Sequence, residues 1–273
     1  VDVIKTLQLM PGISSAAEGT QGFYVRGGGP DQNLVLLDGV HVYNASHLFG
    51  FFSVFNVDAI KSVELTKGGI PAQYGGRLSS VLDIAMNDGN NKGFGVKGGI
   101  GLISSRLTLE GPIIKDKASF IISGRRTYID VITKPFIPKD GAFSGSGYFF
   151  YDLNAKVNYK ISEKDRLYIS GYYGKDAFTF ATPANDFNVR MPWGNAIASM
   201  RWNHLFNDKL FMNARVSLTD YQFQFISQQD QFEFGLNSGI RDYGSSIDFT
   251  YYMSPRIKIK YGADYIYHIF TPF

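Results

Sequence analysis

Three sets of residues in this chain have types and spacings that could do chemistry. The stretch Arg26-Gly27-Gly28-Gly29-Pro30 runs directly into the apolar segment NLVLLDGV, and a glycine turn beside a strand can cradle a phosphate. The run Gly93-Phe94-Gly95-Val96-Lys97-Gly98 satisfies G-x-G-x-x-G. Four histidines, 41, 47, 204 and 268, are the candidate bases or metal ligands.

Each set loses its catalytic reading on inspection. No helix follows residues 93–98, which sit inside an alternating run, so they read as a small-residue strand. The 26–32 turn lacks the G-K-[ST] ending of a P-loop, and its glycines read as the positive-φ residues of a hairpin joining two strands. The histidines show no H-E-x-x-H or comparable spacing, and with no cysteine in the chain a Cys-ligated zinc or a disulfide framework is excluded. His204 and His268 lie near strand ends, facing an interface or a lumen. No nucleophile–base pair stands out.

The elements that must position these residues fall into two regions. Residues 1–88 read as mixed α/β. Asp2 can cap a helix with Val3, Leu7 and Met10 on one face, stopped by Pro11-Gly12. FYVRGG, NLVLLDGV, IKSVELTKGG and RLSSVLDIAM read as strands, and Asn56 or Asp58 can start a short helix at VDAI. From residue 93 to 273 the texture is long alternation. Leu153, Ala155, Val157, Tyr159 and Ile161 oppose Asp152, Asn154, Lys156, Asn158 and Lys160, and Leu210, Met212, Ala214, Val216 and Leu218 oppose Phe211, Asn213, Arg215, Ser217 and Thr219.

Short turns at 111–117, 162–165, 207–208 and 254–255 alternate with long polar or Gly/Pro-rich stretches at 133–147, 175–192 and 227–239. Short connections on one side and long ones on the other are the pattern of an outer-membrane β-barrel. About nine strands are expected, with a tight reversal at 103–105. That number cannot close a bacterial barrel, and an open edge in lipid leaves backbone groups unpaired. The chain is therefore expected to be a fragment. Its start is no signal peptide, so either the protein is not exported or the precursor's beginning is missing. No apolar run of 18 residues is present, and 27 basic against 24 acidic residues give no surface that demands nucleic acid.

The order of motifs resembles one family, the TonB-dependent outer-membrane receptors. LQLMPGI (7–13) matches the opening of their plug, and YVRGGGPDQNLVLLDGVHVYN (24–44) is similar to their RG…N…L-D-G-V segment. VDAIKSVELTKGGIPAQYGGRLSSVLDI (57–84) resembles the plug's most characteristic stretch, in wording like that of Bacteroidetes receptors. RLTLEGPI and SFIISGRR resemble early barrel strands. The likeness covers essentially the whole chain.

It implies a plug (1–88) followed by the first part (93–273) of a barrel of about 22 strands closed from inside. It implies a receptor that binds a scarce extracellular solute and imports it by plug rearrangement driven from the inner membrane. The solute stays open: ferric siderophore, haem, cobalamin, glycan or peptide. A TonB-type periplasmic protein is the implied partner, although its contact segment is expected to be absent from this chain; a surface lipoprotein and outer-membrane lipid are others. No cofactor or metal is implied.

The resemblance also puts His41, Tyr43, Asn44, Ser46, His47 and Phe49, with Leu48, at the plug's outward apex, where they are expected to touch solute. Arg26 and Arg77 match plug arginines that pair with inward-facing barrel carboxylates, for which Asp152, Asp242, Asp248 and Asp264 are candidates; Arg26 has the alternative of contacting the ligand. Arg190 and Trp193 are the outer-loop candidates. Alternatives of other classes are a passive outer-membrane channel and a barrel enzyme, both of which leave a plug unexplained.

Overall fold

The computed structural model describes residues 2–15, 22–47, 50–138, 141, 144–182 and 186–272. Helix α1 (Val3–Gln8) starts where Asp2 Oδ1 accepts the backbone N–H groups of Ile4 at 3.0 Å and Lys5 at 3.2 Å. It buries Val3, Ile4 and Leu7. Met10, expected on that face, lies beyond the helix end and is exposed.

Strands β1 (Ile13–Ser15), β2 (Phe23–Val25), β3 (Asn33–Leu37), β4 (Val40–His41), β5 (Ser46–His47), β6 (Phe52–Ser53), β7 (Ile60–Thr66) and β8 (Ser80–Met86) complete the N-terminal region. Its sheet has the order β4-β3-β8-β7, with β3 parallel to β8. A short 3-10 turn, Val57–Ala59, is capped by Asn56, whose Oδ1 accepts the Asp58 N–H at 3.2 Å.

The glycine turn does not join two paired strands. Strand β2 pairs with β1 instead, Arg26 and Gly27 reverse the chain at φ +49° and +86°, and a 3-10 turn at Pro30–Gln32 leads into β3. The hairpin of this region lies one motif later. Asp38 and Gly39, at φ +49° and +79°, make the two-residue β3–β4 turn in which both central residues need positive φ.

Strands β9 (Gly95–Ile100), β10 (Ser104–Ile114), β11 (Ala118–Thr127), β12 (Gly147–Lys160), β13 (Asp165–Thr182), β14 (Phe187–Asn207), β15 (Leu210–Gln229), β16 (Phe232–Ser254) and β17 (Ile257–Thr271) form one sheet in which each pairs antiparallel with the next. Two expected long loops prove to be largely strand. Residues 175–182 pair with 187–194, and 222–229 with 232–239, so most of each stretch is ladder. Strands of 18 to 23 residues far exceed the roughly 9–11 that cross a bilayer. Their outer parts carry polar, Gly- and Pro-containing sequence that breaks the apolar stripe, and so read as loop. Among the described residues, the β11–β12 connection is the expected long stretch that stays irregular, and it carries the short helix Ile129–Thr133.

The burial of this sheet is inverted relative to a soluble sandwich. Along β12 the side chains Asp152, Asn154 and Lys156 are buried, while Leu153 and Tyr159 are exposed. A wall whose polar face is covered and whose apolar face is bare suits a lipid-facing exterior. What covers the polar face is the N-terminal α/β region. Its core of Ile4, Val25, Leu82, Ile84 and Met86 is joined by Tyr172 and Ile197 from the wall. Each fully buried side chain of this kind contributes about 1.5–3 kcal/mol.

Candidate functional site: the seam between plug and wall

His47 sits at the centre of the seam. Its Nδ1 lies 2.6 Å from Asp176 Oδ2 and its Nε2 lies 2.6 Å from Asp152 Oδ1, so one ring from β5 bridges carboxylates on β13 and β12. The ring stacks on Phe150, centroids 4.1 Å apart and planes within 6°. Burial alone would push the imidazole towards neutrality, but Asp152 and then Asp176 outweigh it and raise the group to about 9. His47 is therefore an imidazolium between two aspartates. Arg125 completes the cluster, donating from Nε to Asp152 Oδ2 at 2.6 Å and from Nη2 to the Ser53 carbonyl at 2.6 Å. Tyr172 donates to Asp152 at 2.9 Å, and Tyr148 donates to Asp176. Two cations face two anions, all in hydrogen-bond contact, which is the condition for burying charge without prohibitive cost.

A second cluster of opposite polarity lies towards the short-turn end of the same strand. Lys156 Nζ, buried, donates to the Met86 carbonyl at 2.9 Å and lies 3.2 Å from Asp38 Oδ2 and 3.0 Å from Asp88 Oδ1. Asp38 also accepts the Met86 N–H at 3.0 Å, and Lys61 reaches Asp88 at 2.9 Å. Beside Asp38, a Cβ on Gly39 would come within 1.9 Å of Arg215 Nη1, so the turn is pressed against a second wall cation.

The third contact zone is the expected apex. Tyr43 donates to Asp242 Oδ2 at 2.5 Å, and the other oxygen of Asp242 lies 2.7 Å from His268 Nδ1. Burial and then the Asp242 hydrogen bond push the Tyr43 hydroxyl up, so it stays a donor. Asn44 accepts from Ser46 N–H and Oγ, and its carbonyl accepts from Asn195 at 2.9 Å. His41, pushed down chiefly by burial, offers its carbonyl to Thr219 at 3.2 Å. A cavity of about 1140 Å³, lined by His41, Gln73, Tyr74, Arg215, Asp248 and Asp264 among others, separates the 71–76 loop from β15–β17.

The structure redistributes several expected roles. His47 is not open to solute at an apex; it is sealed in the seam. Arg26 and Arg77 make no ion pair with a wall carboxylate among the described residues. Arg26 turns back over the plug, its guanidinium beside Gly68, and Arg77 donates to the Gly76 carbonyl at 2.8 Å. The arginine-to-carboxylate pairs are replaced by His47 with Asp152 and Asp176, by Tyr43 with Asp242, and by Arg106 of the wall with Asp58 at 2.7 Å. Trp193 is not in a loop. It is buried on β14 opposite Asp176 and packs on Tyr148, with Phe178, Met191 and Phe223 around it. Arg190, on the same strand, is exposed. Asp264 lies 3.7 Å from Arg215. Phe49 and Leu48 lie outside the described residues.

Arg125, Lys156, Tyr148, Tyr172 and Asp176 were not anticipated as site residues. Lys156 was legible as sharing the polar face of Asp152, but its partner Asp38 reads in sequence only as a turn residue.

The profile of the TonB-dependent receptor plug domain matches residues 1–80. Among solved structures, the chain is similar to the ferric enterobactin receptor PfeA of Pseudomonas aeruginosa, at TM-score 0.69 and 16% identity, over 98% of this chain and 46% of that one. It is also similar to the outer membrane transporter YddB of Escherichia coli (0.72, 12%, 98% and 46%) and to the FrpB iron transporter of Neisseria meningitidis (0.72, 15%, 99% and 47%). The chain thus spans about half the length of the solved structures it matches. Residues 1–80 match a TonB-dependent receptor plug domain, and they are seated by buried charges against antiparallel strands that share the fold of those solved structures.

Proposed function

We propose that the chain forms the plug and part of the wall of an outer-membrane receptor that captures an extracellular solute and admits it to the periplasm when an inner-membrane-energised TonB-type partner rearranges the plug. One observation carries this reading: a plug with its own sheet is held to the wall by discrete, breakable side-chain clusters rather than by a continuous ladder. A passive channel has no use for such a stopper. Solved structures of the same fold are described as a siderophore receptor in Acinetobacter baumannii and as the copper transporter OprC, which supports import and leaves the solute class open.

The solute-contact residues of this reading are Tyr43 and Asn44 at the apex, with Arg26 and Arg77 on the plug and Arg190 on the wall. Phe178, Met191, Phe223 and Trp193 give the wall an apolar flank on which a ring-bearing solute can stack. The test is accumulation of labelled ferric siderophores, haem, cobalamin, oligosaccharides and peptides by cells carrying the full receptor. One class is expected to accumulate and to stop when the inner-membrane proton gradient is collapsed; uptake indifferent to the gradient overturns the reading.

A further inference from the structure

The two charge clusters hold different parts of the plug. The Lys156 cluster grips the four-stranded sheet, through the β3–β4 turn at Asp38 and the chain leaving β8 at Met86 and Asp88. The His47 cluster grips only the β5–β6 pair, which shares no ladder with that sheet. Besides the wall, this pair is tied to the plug by the Ser53 N–H donating to Asp2 Oδ2 at 2.7 Å and by the flanking Val54 and Phe55 packed in the plug core, while the Val54 N–H donating to the Ala45 carbonyl at 3.1 Å closes the pair on itself. Arg125 holds its other arm by the Ser53 carbonyl.

We infer that β5–β6 is a separate catch, fastened to the wall through His47 between Asp152 and Asp176, and that it opens while the Lys156 cluster still holds the plug sheet. The groups facing His47 are Asp152, Asp176, Arg125, Tyr148 and Tyr172 from the wall, with Asp2 and Lys5 behind the strand pair on the plug side. Withdrawing the imidazolium leaves two buried carboxylates with one guanidinium, so the open state exists only when water enters. That makes the catch a two-position device, closed and dry or open and wet. Tyr43, bonded to Asp242, and Asn44, bonded to Asn195, lie just before His47 on the same short segment. A solute that displaces either contact pulls on the catch directly. On the import reading proposed above, opening of this catch is the step that solute and partner act on.

The test uses the full receptor in outer membranes, with any cysteine outside residues 1–273 replaced by serine and with Ser53→Cys, which places a thiol at a buried position in a segment that has no cysteine of its own, and a membrane-impermeant maleimide. At equal receptor abundance, labelling is expected to be slow when Ser53→Cys is the sole change. It should rise about tenfold or more when His47→Gln or Asp176→Asn is added, and stay slow when Lys156→Gln is added. Equal protection of the introduced thiol with and without His47→Gln overturns the inference, as does a Lys156→Gln receptor that labels as fast as the His47→Gln one. These arms need neither solute nor energy, so they stand apart from the import reading. In energised cells supplied with the imported solute, faster labelling that gradient collapse abolishes supports the role in import; labelling unchanged by energy overturns that role.

Discussion

Asp152 and Lys156 lie on the same face of β12, four residues and about 13 Å apart, and each is buried against a plug group of opposite charge. A single strand thus presents an anion to a plug cation and a cation to plug anions. Removing either member strands its partners in a site shielded from water.

The pH dependence of the first cluster has a definite sign. His47 titrates near 9, raised from 6.5 in spite of burial because Asp152 and Asp176 hold its proton. The stabilisation that follows from its charge is complete below pH 6.5 and is lost as pH rises through about 9. The thermal midpoint of the detergent-solubilised receptor should fall across that window, and the fall should be absent in His47→Gln. A parent receptor with a level midpoint up to about pH 10, past the folded titration, would contradict the assignment.

Lys156→Ala should destabilise the seated plug by about 3–5 kcal/mol, because Asp38 and Asp88 lose their buried counter-charge. Lys156→Ala with Asp38→Asn should recover part of that. Proteolysis of the plug in intact outer membranes, compared across the single and double variants, measures the coupling.

Gly39→Ala meets two obstacles, a φ of +79° and the Arg215 guanidinium. The guanidinium is the end of a flexible side chain and can move; the backbone cannot. The expected cost is about 1 kcal/mol, set by φ, and Arg215→Ala should not relieve it. Relief by Arg215→Ala in denaturant titration would show that crowding, not conformation, dominates.

Tyr43→Phe removes the donor to Asp242 and leaves the ring, while Tyr43→Ala removes both. If the apex touches solute, Tyr43→Ala should raise the half-saturation concentration for uptake about tenfold, a change of about 1–2 kcal/mol, with receptor abundance unchanged. Uptake identical to the parent removes Tyr43 from the contact surface.

Much of the architecture was readable from period alone. The alternation that sets Asp152, Asn154 and Lys156 against Leu153, Ala155 and Val157 survives in the folded wall, whose polar face is covered by the N-terminal region while Leu153 on the other face is exposed. The signal fails where polar, Gly- and Pro-containing sequence interrupts the apolar stripe, which is why residues 175–192 and 227–239 read as loops although most of them pair in ladders. The site was less legible. Local pattern places Asp38 and Gly39 in a turn, but nothing local says that Lys156, 118 residues later, closes on it. His47 lacks a motif because its partners, Asp152 and Asp176, belong to strands brought together only by sheet register. The expectation that arginines would carry the plug–wall pairs failed at Arg26, whose left-handed φ of +49° belongs to a turn that folds the guanidinium over Gly68.

The reversed polarity of the two clusters also bears on how interchangeable the pieces of such receptors are. Any foreign plug grafted into this wall must bring a cation to the level of Asp152 and Asp176 and carboxylates to the level of Lys156. One built the other way round would bury like charges against each other at both levels. Matching of plug to wall is thus written as a two-letter electrostatic code along β12, and chimeras that break it should fail at assembly, before any solute arrives.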